Sequence, residues 1–159
     1  ATPREGVVVN DDGPAQSAIK GKRLIAAAWQ STAVFLLVLL AGVVRLDLFG
    51  VAVVIVSVVM FGLGVLLLAI AFALGIRRSR AEEISVAGLF LLQGSSPPVV
   101  RKVLITSVLA QLTAALVASG LRIYTEIAFA ILAPTFVFGL ASVWAGRYGS
   151  FPPRTSDSV

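Results

Sequence analysis

The sequence predicts an all-α integral membrane protein with four transmembrane helices, and three observations carry that reading. Of 159 residues, 58% are hydrophobic and only 13% are charged, where a soluble domain carries roughly 25% charged residues. The apolar residues gather into four long runs without a single ionisable side chain. The cations gather between and beyond those runs, almost all on one side of the predicted topology.

Residues 1–19 hold Pro3, Gly6, Asp11, Asp12, Gly13 and Pro14 and no sustained apolar period, so a disordered cytoplasmic tail is expected. Lys20, Lys22 and Arg23 follow as a basic collar. The spans are expected at about 24–44, 48–76, 103–121 and 127–146, each near or above the roughly 20 residues that a bilayer core requires. The first is too long, and the second follows it too soon, for a secretory signal. A second tail is expected over 149–159. Together the spans make one transmembrane domain over 20–148.

Soluble helices need a polar face, and residues 51–74 offer none. Strands are excluded by length, because Val-rich runs such as VAVVIVSVV belong to stretches far longer than about 5–6 residues. Period-2 alternation, the mark of a membrane barrel, is also missing.

Between spans two and three, residues 84–93 (ISVAGLFLLQ) are apolar but too short to cross. Ile84, Ala87, Gly88, Leu91 and Leu92 recur at helical spacing beside charged neighbours. A short amphipathic helix lying in the membrane interface is expected over about 82–93. Gly94-Ser95-Ser96-Pro97-Pro98 ends it.

Orientation follows from the 13 cations. With termini and central loop together, one side holds all of them except Arg45 and Arg122. That side is expected to be cytoplasmic, in a bacterial plasma membrane. Trp29, Trp144 and Tyr148 are expected at its headgroup boundary. The spans then form two similarly oriented hairpins. Their outer turns, AGVVRLDLFG at 41–50 and ASGLRIYTEI at 118–127, resemble each other. Duplication would make a parallel repeat. The polar needs of short turns explain the likeness more simply.

The chain has no Cys and no His, which removes thiolate metal sites, His-ligated haem and Cys/His nucleophile–base pairs. No cofactor or metal site is expected. No span carries an interior carboxylate or cation, the usual mark of proton-coupled transport, and no carboxylate cluster suits a phosphoryl-transfer metal. An enzyme is therefore not expected, and neither is nucleic-acid binding.

The candidate contacts are modest. Gln30, Thr32, Gln111 and Thr113 are the intramembrane polar candidates, with Gln111 foremost because a mid-depth amide must find a partner. Pro134 is expected to kink span four. Small residues four apart are densest in span three, which is placed at the bundle centre. Span two, apolar on every side, is expected to face lipid or a partner helix. Arg45, Asp47, Arg122 and Glu126 are candidate outer docking charges. Arg77, Arg78, Arg80, Arg101 and Lys102 are candidate contacts for anionic lipid headgroups.

The layout, with Ala/Val/Leu/Arg-rich and Lys-poor usage, resembles small four-span bacterial membrane proteins. Small multidrug carriers share the span count, but they carry a membrane-embedded Glu in the first span, which this chain lacks. The expected role is a non-enzymatic accessory, scaffold or assembly subunit of a larger membrane complex, bound to another membrane protein or to copies of itself. The alternative is a small homo-oligomeric transporter or lipid flippase with Gln30, Gln111 and Thr113 along a polar path.

Overall fold

Four helices long and apolar enough to cross a membrane make up most of the computed structural model, which describes residues 21–80 and 82–153. The expected N-terminal tail lies outside the described residues, as does the C-terminal tail from 154 onward.

Helix α1, Lys22–Val44, starts at Gly21, whose φ of 114° lies in the left-handed region. It stops at Arg45, whose N–H still donates to Ala41 O at 2.8 Å. Arg45 alone connects it to α2, Leu46–Arg78. Asp47 in the first turn of α2 and Arg77 and Arg78 in its last turn complement the helix dipole. At 33 residues, α2 is about 50 Å long, well beyond a hydrocarbon core of about 30 Å.

The segment between α2 and the next long helix contains little helix. Helical conformation is confined to α3, Val86–Phe90, where the sequence pattern suggested about 82–93. Ser85 caps it, its Oγ accepting from Gly88 N at 2.9 Å. Leu92 (φ 53°) and Gly94 (φ 74°) turn the chain left-handed and stop it. Upstream, Glu82 pairs as an isolated antiparallel bridge with Pro153, which holds that stretch extended. Leu89 and Leu92 insert into the core, while Val86 is 75% exposed.

Helix α4, Pro98–Leu121, begins on a proline that needs no N–H partner. Span four is in two parts. Glu126–Leu132 forms a 3-10 helix and Pro134–Tyr148 forms α5. Pro134 explains the junction. It has no N–H to give Ala130 O, and Ala133 N donates there instead at 3.2 Å, a three-residue step.

Span four, not span three, is the centre of the bundle. Helix α5 packs on α1, α2, α3 and α4, and most of it is enclosed, whereas most of α1, α2 and α4 is open. The reason is the distribution of small residues. In α5, Gly139, Ala141, Ser142, Ala145 and Gly146 point in every direction and let neighbours approach on all sides. In α4, Ala110 and Ala114 sit on a partly open face.

Helix α2 leaves most of its surface open, as its composition suggested, but it buries a narrow seam. Gly50, Val53, Ser57, Met60 and Gly64 recur at steps of three and four and Ala71 follows seven on, so small residues occupy every seventh position. The seam meets α5 where Gly64 faces Gly139. A methyl on Gly139 would lie 2.8 Å from Gly64 O. Two apolar clusters fill the interior. One, around Leu92, Leu104, Leu140 and Trp144, lies toward the arginine-rich end. The other, around Phe35, Val53, Ala118 and Ile127, lies toward the turns.

Candidate functional site

The deepest polar contact joins the two parallel helices α1 and α4. Gln111 Nε2 donates to Thr32 Oγ1 at 3.0 Å. Thr32 in turn donates to Ala28 O at 2.7 Å, back along its own helix. Thr32 and Gln111 fall in sequence between the members of the two apolar clusters, so the pair forms a polar waist. Gln111 is fully enclosed, and its Oε1 has no partner among the described residues. Gln30 and Thr113 do not join it. Both are exposed, Thr113 on the rim of a groove between α1 and α4.

Ser57 Oγ and Trp144 Nε1 are the other enclosed span atoms without a partner among the described residues. Trp144 was expected at the headgroups. It is 0% exposed, while Trp29 is 49% exposed. A methyl on Gly21 would strike the Trp144 indole, so the missing side chain at Gly21 makes room for the ring. The buried polar side chains are Thr32, Ser57, Ser95, Ser107, Gln111 and Ser142, and none of them is ionisable. Ser107 and Ser142 donate to carbonyls one turn back at 3.0 and 2.9 Å. Of these side chains, the Gln111–Thr32 pair is the one that links two helices.

At the turn end, Asp47, Arg122 and Glu126 line one depression of about 500 Å³. Arg122 Nη2 donates to Val43 O at 2.8 Å and so caps an orphan carbonyl at the end of α1. Glu126 lies over the start of α2, where a methyl on Gly50 would sit 3.5 Å from its Oε2. Arg45 is exposed and does not line the depression. Neither Arg45 with Asp47 nor Arg122 with Glu126 forms an ion pair among the described residues.

At the opposite end the candidate headgroup cations divide by environment. Arg78 is taken up by the protein. It donates to Gly146 O at 3.2 Å, pairs with Glu82 at 2.7 Å and lies 5.2 Å from the centre of the Phe151 ring. Beside it, Glu83 N donates to Pro152 O and Ser150 N to Ser95 O, both at 2.9 Å. Residues 149–153, assigned by sequence to a tail, are thereby laced onto the segment between α2 and α4. Arg77 and Arg80 are exposed and line no cavity described here. Arg101 and Lys102 are exposed too, but they border a depression of about 380 Å³ with Leu92, Pro98, Ile105 and Thr106.

Gln111 was legible in advance as a mid-depth amide that needs a partner, whereas Thr32 as that partner was not. The Arg78 lock was missed because its acceptor on α5 is a backbone carbonyl 68 positions away, which leaves no sequence signal. Among the described residues, no three Asp or Glu side chains cluster closely enough to hold a metal ion.

No family model matches this chain, and neither the curated proteins nor the solved structures include a match to it.

Proposed function

We propose that this chain is a non-enzymatic accessory, scaffold or assembly subunit of a larger membrane protein complex. One observation carries the reading. Every polar side chain buried among the described spans is neutral, and the one side-chain pair linking two helices, Gln111–Thr32, is closed to the surroundings. A bundle of this kind supplies shape and surface, not reacting groups. The long, largely open α2 offers partner helices an apolar wall. The alternative, a small homo-oligomeric transporter or flippase, draws less support, because Gln30 and Thr113 are exposed while Gln111 is enclosed.

In this reading the spans are two similarly oriented hairpins in a bacterial plasma membrane. Both termini and the arginine-rich connection face the cytoplasm, as the distribution of cations favours. The α3 turn lies in the interface, with Val86 outward and Leu89 inward.

Affinity purification from native membranes in mild detergent, read by mass spectrometry, tests the role. A larger membrane protein recovered in fixed ratio is the expected result. Recovery of the chain as a lone monomer in several mild detergents would remove the proposal.

A further inference from the structure

We propose that one face of α4 seats an anionic phospholipid, with its headgroup on Arg101 and Lys102 and one acyl chain in the groove between α1 and α4. This inference does not depend on the accessory role.

The face is continuous. Arg101, Lys102, Ile105 and Thr106 line the depression at the arginine-rich end. Thr106, Leu109, Ala110 and Thr113 line the near part of a groove of about 770 Å³ whose other wall is Leu36, Leu39, Leu40 and Val43 of α1. The α4 positions advance by steps of three and four, so they form a single stripe, and the two hollows share Thr106. Cations stand at the mouth and an apolar trough leads away from them.

The length fits one leaflet. Half of a hydrocarbon core is about 15 Å, or about ten residues of helical rise. An acyl chain starting at Lys102 therefore ends near Thr113, inside the groove. Ala110 and Ala114 line it with short side chains.

Environment singles out this pair among the five candidate cations, since Arg77 and Arg80 are as exposed but do not border the depression that Arg101 and Lys102 line. Arg78 is occupied by Gly146 O, Glu82 and the Phe151 ring. The side chains of Arg101 and Lys102 make no hydrogen bond or ion pair with another described residue. Each cation near an anionic surface contributes about 1 kcal/mol. A partner helix would fill the trough equally well but would leave both cations without counter-charge.

The test uses the full chain in mild detergent, with palmitoyl-oleoyl phosphatidylglycerol as probe, phosphatidylcholine as neutral control, and native mass spectrometry as readout. Phosphatidylglycerol is expected to bind in preference. R101Q/K102Q should weaken it about thirty-fold, which is about 2 kcal/mol at about 1.4 kcal/mol per tenfold. R77Q/R80Q should change it less than about threefold. A110F should weaken binding with both cations intact, and T113W does the same from an exposed position where folding is not at risk. The proposal is overturned if the two cation pairs behave alike. Phosphatidylglycerol binding unaffected by both groove variants also overturns it, as does displacement by inorganic phosphate. It likewise fails if A110F or T113W turns a dimer into a monomer, since a second copy then fills the groove.

Discussion

Gln111 shows how little a buried polar residue contributes when its partner is already half satisfied. Thr32 keeps its hydrogen bond to Ala28 O whatever happens to the amide, and Gln111 Oε1 has no partner to lose among the described residues. Interhelical hydrogen bonds in membranes average about 0.6 kcal/mol. A double-mutant cycle of Thr32→Val and Gln111→Leu, followed by unfolding in detergent, is therefore expected to give a coupling of about 0.6 kcal/mol. Gln111→Leu alone should be close to neutral. A coupling above about 2 kcal/mol would mean that the waist does more than hold α1 to α4. The residue was visible in the sequence as a mid-depth amide. Its particular partner was not, since Gln30 and Thr32 were equivalent until the rotation of α1 and α4 was known.

Among the elements, the contact of α2 with α5 decides the packing, and it is made backbone to backbone. A methyl on Gly64 would lie 2.5 Å from Thr135 C and 2.6 Å from its O, whereas a methyl on Gly62 meets nothing within 4 Å. Gly64→Ala should cost about 1–3 kcal/mol through overpacking against a backbone that cannot turn aside. Gly62→Ala should stabilise the same helix by about 0.5–1 kcal/mol. Thermal unfolding of the two variants side by side checks both signs, and equal effects would disprove the crossing. The number and apolar character of the helices were legible because long charge-free runs admit no other structure. The central helix was not. Small residues were read four apart, which favours α4, while the α2 seam repeats at seven. A glycine identifies a close approach only once the facing glycine is known. Residues 82–93 misled for a related reason. Apolar spacing alone cannot tell a long interfacial helix from one turn whose Leu89 and Leu92 are pulled inward.

At the scale of the whole molecule, Arg78 fastens the end of α2 to the end of α5 and to the segment that follows. Its ion pair with Glu82 is about a quarter exposed on each side, so solvent screening reduces it. Arg78→Ala is expected to cost about 1 kcal/mol locally, which speeds hydrogen exchange at the Glu83 and Ser150 amides roughly fivefold and leaves the α2–α5 crossing protected. Unchanged exchange would show that the lacing holds without it. The proposed orientation has a direct test because the chain contains no Cys. Tyr124, 100% exposed in the turn before the 3-10 helix, and Arg80 at the other end are suitable single-cysteine positions. In intact cells a membrane-impermeant thiol reagent is expected to label Y124C and to spare R80C until the membrane is opened. The reverse pattern would invert the topology. Cation placement made this expectation readable from sequence, whereas the lacing of 149–153 depends on backbone partners that leave no mark in it.

The position of α5 bears on the order in which the molecule is made. Its most enclosed span is the last of the four to leave the ribosome. The α2 seam of Gly50, Ser57, Gly64 and Ala71 is complete about 77 residues before Tyr148 is added. At about 5–20 residues per second, that interval is about 4–15 s. Throughout it the first spans stand in the bilayer with the Gly64 face of α2, where α5 comes to pack, still uncovered. Nascent chains stopped between Leu121 and Pro134 should therefore be the ones most readily captured by membrane chaperones or cleared by proteases.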